Sequence, residues 1–151
     1  MDTIFSRLPR RAAGTILLIG LALAGCGPST VTSLRRAPTT ERSFEVPADY
    51  ETVYHRLAVR VRRRYSYTNL ATYQPAVTAT LAPASQSGVV TVWDAGGIGL
   101  QCLLHADIHA LDADRTEVRV TGSKVAHKAE TLLWERWANT PLDTAPADPN
   151  E

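Results

Sequence analysis

Sulfur is scarce in this chain: two cysteines and one methionine stand among 151 residues, which excludes a disulfide-dense scaffold. An excess of one charge is missing too. Sixteen Lys plus Arg against fifteen Asp plus Glu leave a formal +1, so nothing marks the chain as a nucleic-acid binder. Long apolar runs are also wanting, since Ala12 to Ala24 spans 13 residues, whereas a stable bilayer-crossing helix takes about 20. Motifs of reaction chemistry are absent: there is no Gly-x-Ser-x-Gly, no Cys–His pairing signal and no His-Glu-x-x-His. What is present is 44% apolar residues with nine Gly and nine Pro, the usage of one packed domain and too apolar for a wholly disordered polymer.

The first 26 residues divide into a positive start carrying Arg7, Arg10 and Arg11, the short apolar run, and Gly25-Cys26. Such a segment reads as an export signal and not as a permanent membrane anchor. Leu23-Ala24-Gly25-Cys26 resembles the lipobox of bacterial lipoproteins, in which small residues before an obligatory Cys admit a dedicated peptidase. The resemblance implies removal of residues 1–25 and a mature Cys26 bearing diacylglycerol and an amide-linked acyl chain such as palmitate. Several chains make the attachment durable, because one myristoyl chain at about 0.8 kcal/mol per buried CH₂ binds only marginally. By the family's sorting rule, Gly27 in place of Asp implies the outer membrane, on its periplasmic face. A twin-arginine route is the lesser reading, because Ala12-Ala13-Gly14 follows Arg10-Arg11 in place of that signal's usual continuation. After cleavage 126 residues remain with 13 basic and 14 acidic groups, a formal −1. Cys102 is then the lone thiol, and its place in an apolar alternation predicts burial.

Residues 26–40 hold the lipidated Cys and a run of Gly, Pro, Ser and Thr that reads as a flexible tether. Residues 139–151 carry three prolines among acidic and small residues and read as a disordered tail. Between them, residues 41–138 form the folded domain. Ser43 to Val46 alternates and stops at Pro47, a short strand. Tyr50, Val53, Tyr54, Leu57, Ala58, Val61 and Tyr65 then recur with helical period, with Asp49 as N-cap. Val77 to Leu81 and Val89 to Trp93 are β-branched runs separated by a turn. Ile98, Leu100, Cys102, Leu104, Ala106, Ile108 and Ala110 alternate with polar residues in a long half-buried strand, and Val118 and Val120 belong to its partner. For both to share one face, paired residue numbers must sum to an even value such as 226 or 228, which sets Arg119 opposite Asp107 or His109. A second helix carries Val125, Ala129, Leu132, Leu133 and Trp137, with Ser123 as its cap and Trp134 at the stripe's edge.

The order β-α-β-β-β-β-α predicts an α+β fold: a single antiparallel sheet of four to five strands with two helices packed on one face. The opening Phe44-Glu45-Val46-Pro47-Ala48-Asp49-Tyr50 resembles that of helix-grip domains, and among lipoproteins the nearest comparison is the repeated helix-grip domain of BamC, from the β-barrel assembly machinery. BamC has two such domains where this chain has one, so its partner role does not transfer.

Three groups of residues are candidates for function. His105, Asp107 and His109 project from one face of a strand at spacings near 7 Å and offer ligands to a metal. A zinc site, however, needs ligands about 2.0 to 2.2 Å from one ion, which one straight strand rarely supplies, so a solvated face paired with Arg119 is the simpler reading and no cofactor is expected. Arg56, Arg60, Arg62, Arg63 and Arg64 concentrate positive charge, suiting an anionic lipid or acidic partner, or else a helix end stabilised by its dipole. Trp134 is the candidate interface aromatic. Asp94-Ala95-Gly96-Gly97 precedes a strand and lacks a phosphate loop's Lys-Ser/Thr ending, so it reads as a hairpin turn. Together these features predict a non-enzymatic, membrane-anchored envelope module that contacts another envelope protein and no nucleic acid. A lipid or small-ligand carrier with a cavity behind Val53, Leu57, Cys102 and Leu104, or a metal enzyme at His105, Asp107 and His109, are the alternatives.

Overall fold

The computed structural model describes residues 29–36, 38, 40–66, 75–95, 99–123 and 128–143. The leader, Cys26, Gly96 to Ile98, Val125 and residues 144–151 lie outside the described residues. Alternating strands build one antiparallel sheet from β1 (Thr40–Val46), β2 (Pro75–Ala82), β3 (Ser87–Asp94), β4 (Gln101–Ala110) and β5 (Thr116–Gly122). Their spatial order is β1-β5-β4-β3-β2, with every neighbouring pair antiparallel. The helices are α1 (Val31–Arg36), α2 (Tyr50–Ser66) and α3 (Lys128–Asn139). From β1 onward the order is the expected strand, helix, four strands, helix, and α1 is an addition at the front.

Period-2 burial sets the register. Ile108 pairs with Val118 and Asp107 with Arg119, the first of the two registers that parity allowed. This turns Val90, Val92, Leu104, Ala106, Ile108, Val118 and Val120 to one face, where they meet Val53, Leu57, Ala58 and Val61 of α2. Asp49 caps α2 as expected: its Oδ1 accepts the Thr52 N–H at 2.9 Å. Hydrogen bonds from the Thr52 side chain and backbone hold the Asp49 carboxyl below the usual carboxylate range. No helix among the described residues is long and apolar enough to cross a membrane.

Four expectations are corrected. Residues 29–36 are not loose tether: Thr30 and Ser33 bond reciprocally through side chain and backbone as a capping box, and Leu34 is fully buried. At the other end, the carbonyls of Thr140 and Pro141 are held by Arg60, so the ordered domain outlasts residue 138. In β4, a register shift opposite Val92 and Trp93 breaks the even-number alternation. Leu103 therefore joins the core, whereas Cys102 pairs with Trp93 and is buried outside that core cluster, and Leu100 is left exposed. Burial pushes the Cys102 thiol up to about 11, which suits an inert thiol.

The fourth correction concerns α3. Its buried stripe is Thr131, Trp134, Trp137 and Ala138, centred on the residue that periodicity set at the edge. Trp134 is fully buried, while Leu132 and Ala129 are exposed. Trp134 is a core residue, not an interface contact. Ser123 does not act as the cap either, because its buried Oγ makes no hydrogen bond among the described residues and its N–H donates to the Leu103 carbonyl at 2.8 Å.

Gly88 lies where α2 approaches the sheet, and a Cβ added there would stand 2.8 Å from the Tyr54 ring. Gly88→Ala is therefore expected to lower unfolding free energy by about 1–3 kcal/mol through overpacking, as measured by urea denaturation. An unchanged midpoint would show that Tyr54 yields freely.

Candidate functional site

Sequence placed His105, Asp107 and His109 on one face, and β4 does present them opposite its core residues. That face is not simply solvated. The side chain of His105 is buried, and Asp107 is 14% exposed, because α1 touches β4 and β5 there. The capping box starts α1 and turns Leu34 inward; the next residue, Arg35, then reaches across the sheet. Its Nε donates to Asp107 Oδ2 at 3.1 Å, its Nη2 donates to Asp107 Oδ1, and the same Nη2 lies 3.0 Å from His105 Nε2. The other ring nitrogen, Nδ1, is 2.8 Å from Thr91 Oγ1.

Arg35, rather than the expected Arg119, is thus the partner of the Asp107 carboxylate. Arg119 faces Asp107 in the ladder, yet its guanidinium pairs with Glu41 at 3.3 Å and Ser43 at 3.4 Å. Half-burial would push the Asp107 carboxyl up. The hydrogen bond and charge of His105, then those of Arg35, outweigh it and hold that carboxyl below the usual carboxylate range. His109 is exposed opposite Glu117, and together with Arg35, Asp107 and Arg119 these residues line a groove of about 370 Å³.

A metal does not suit this arrangement. Asp107 already binds a guanidinium, and among the described residues no group of three His, Cys, Asp or Glu side chains is placed to hold an ion. The buried His105 ring is held by a threonine, an arginine and an aspartate, contacts that fix its orientation. The arrangement is a fastening of α1 to the sheet. Sequence reading missed Arg35 and Leu34, although Thr30-Val31-Thr32-Ser33 carried the capping signal.

The arginine run of α2 separates into two kinds. Arg56, Arg60 and Arg64, four residues apart, form one stripe along α3. Arg56 Nη1 donates to the Ala138 carbonyl at 3.1 Å, and Arg60 donates to the carbonyls of Trp137 at 2.6 Å, Thr140 at 2.5 Å and Pro141 at 2.7 Å. Arg64 meets Glu130 at 3.5 Å, whose other oxygen accepts the Tyr65 hydroxyl at 3.1 Å. Arg56 and Arg60 serve the fold by satisfying carbonyls at the C-terminal end of α3, which an α-helix leaves without partners, and Arg64 forms an ion pair at its first turn. Burial, then the charges of Arg56 and Arg63, pull the Arg60 guanidinium below its ordinary value. Only Arg62 and Arg63 of the set are both exposed and without such a contact to α3 among the described residues.

Compared with known proteins, the chain matches no family model, no curated sequence and no solved structure at a significant level.

Two outcomes follow from these contacts. Arg60→Ala should cost about 2 kcal/mol in urea denaturation, because it strips charged donors from carbonyls at the end of α3, whereas Arg62→Ala should leave the midpoint unchanged. Asp107, with its lowered value, stabilises the fold above the ordinary carboxyl range of about 4, and that contribution is lost as pH falls through the lowered value. Asp107→Asn should therefore be less stable at neutral pH and lose stability less steeply below about pH 4, a difference followed by acid titration of the circular dichroism signal.

Proposed function

We propose that this chain is a lipid-anchored module of the bacterial cell envelope, fixed through Cys26 to the periplasmic face of the outer membrane, where it binds another envelope protein without catalysis. The observation that carries this reading is the basic start, short apolar run and small residues leading into Leu23-Ala24-Gly25-Cys26. The position of α1 supports it. Three residues separate Cys26 from Thr30, the cap of α1, and the four residue steps reach at most about 14 Å. The folded domain is thereby held close to the bilayer by chain connectivity alone, and anchoring raises its effective concentration toward a neighbouring envelope protein.

The packing favours a partner module over a carrier. Val53, Leu57, Val90 and Val92 expose no surface to a water-sized probe, and Leu104 exposes 2%, so no ligand-sized space opens among them. The histidine face supplies no support for metal chemistry, as its carboxylate is committed to Arg35.

Cys26→Ser tests the proposal. In cells given labelled palmitate, the wild-type chain should incorporate label and follow the membrane fraction, and the mutant should retain its leader and take up none. A wild-type chain whose mass shows a free Cys26 thiol and an intact leader would defeat the reading. Crosslinking from Arg62 or Arg63 in intact envelopes should then trap one defined protein, and recovery of lipid alone would favour the carrier.

A further inference from the structure

An open sheet has two edge strands, each presenting unpaired N–H and C=O groups that accept another strand unless something prevents it. In this sheet the edges are β1 and β2. Charge guards β1: its Glu41, Arg42 and Glu45 form ion pairs with Arg119, Glu135 and Arg115. Nothing comparable guards β2. Its eight residues hold no charged group, and none of Asp, Glu, Lys, Arg or His occurs from Tyr65 to Trp93, in a chain with 21% charged residues. Among the described residues no strand lies beyond β2, and its ladder to β3 runs without a bulge.

The residue order of β2 selects its partner. Ala76-Val77-Thr78-Ala79-Thr80-Leu81-Ala82 is nearly the same in both directions about Ala79. We propose that β2 pairs antiparallel with β2 of a second copy about a twofold axis at Ala79, joining two five-stranded sheets into one. That register sets Thr78 opposite Thr80, Val77 opposite Leu81, Ala76 opposite Ala82, and Ala79 opposite itself. Opposed residues of an antiparallel pair share a face. The threonines therefore meet on the outer face, where both are exposed, and Val77 meets Leu81 on the inner face, where both already pack against the core. A strand with charged residues would bring like charges together in such a pairing; β2 brings none.

The axis stands perpendicular to the sheet, so the helices of both copies share one side. Because α2 packs on both β2 and β3, it runs beside its copy at about 10 Å, an ordinary helix-packing distance. Each α1 lies on the opposite, outer face. On the reading that Cys26 is acylated, both anchors then leave from one side, and a single bilayer holds both chains. A strand pair is a modest interface beside the usual area of about 800 Å² per partner, and shared anchoring compensates by raising the effective concentration.

Sedimentation of the full chain in detergent over a concentration series should show a monomer–dimer equilibrium and nothing larger. The measurement holds whether or not Cys26 carries lipid, so loss of the dimer and loss of the anchor are told apart. Thr80→Lys, which leaves the Trp93–Thr78 hydrogen bond in place, brings two ammonium groups near the axis and should weaken the dimer about tenfold, with the circular dichroism spectrum unchanged. Opposed Cα atoms stand about 4.5–5.5 Å apart, within the span of a disulfide. Ala79→Cys should therefore link to its own copy under mild oxidation, as identified by mass spectrometry of the joined peptides, and Ala82→Cys, which faces Ala76 of the other copy, should not. A wild-type chain that stays monomeric would overturn the proposal and leave the edge to an extended segment of another protein. Undiminished dimerisation of Thr80→Lys, or equal linking at positions 79 and 82, would overturn it as well.

Discussion

A strand in the middle of a five-stranded sheet has its edges paired, so only its two faces can meet water. In β4 neither face does so over most of its length. Leu104, Ala106 and Ile108 are covered by α2, and on the other side His105 and Cys102 are buried as well. The second burial sets the demand that organises this end of the molecule. A buried imidazole must have both nitrogens satisfied or carry a cost of about 1–3 kcal/mol. Thr91 answers one nitrogen from the neighbouring strand, and Arg35 answers the other from a segment that composition assigned to a tether. The strand and α1 hold each other: α1 buries the histidine, and the histidine with Asp107 gives α1 a reason to dock.

A similar economy governs the helical face. The last turn of α3 leaves carbonyls without intrahelical donors, and here they are served by three sources. Thr140 Oγ1 donates to Arg136, Arg60 to Trp137, and Arg56 to Ala138. Within a run of arginine that reads as a patch on the surface of α2, Arg56 and Arg60 are the capping apparatus of another helix. Charge concentration alone did not distinguish these uses. Spacing could have, since only Arg56, Arg60 and Arg64 repeat at four residues and so share one helix face.

Strict periodicity was legible. The parity of the β4–β5 register, the Asp49 cap, the apolar stripe of α2 and the element order from β1 to α3 followed from pattern and period, because half-buried elements leave that imprint, while the choice between the two registers of that parity did not. The failures share a cause. A single bulge in β4 moved Leu103 into the core and Cys102 out of it, and parity cannot foresee an inserted residue. In α3, Leu132 outranked Trp134 as a core residue on its periodic position, although the indole fills far more of the interior. Short α1 offered too few residues for any period, so only its capping box betrayed it. Of the candidate site, the shared face of His105, Asp107 and His109 was visible, and the arginine that occupies it was not.

The face on which α1 sits also bears on what the exposed arginines do. Arg35 reaches His105 and Asp107, which point away from the layer of α2 and α3. On the lipoprotein reading, the membrane-proximal chain therefore reaches the domain on the bare side of the sheet, while Arg62 and Arg63 stand across the sheet on the helical side. Opposed placement weakens the case for these two guanidiniums meeting headgroups of the membrane that holds the anchor, because screening confines such attraction to about 8–10 Å. A protein bearing carboxylates reaches that side without competing with the bilayer. The choice between lipid and protein as the partner of Arg62 and Arg63 thus turns less on their charge, which suits either, than on which face of β4 is covered by α1.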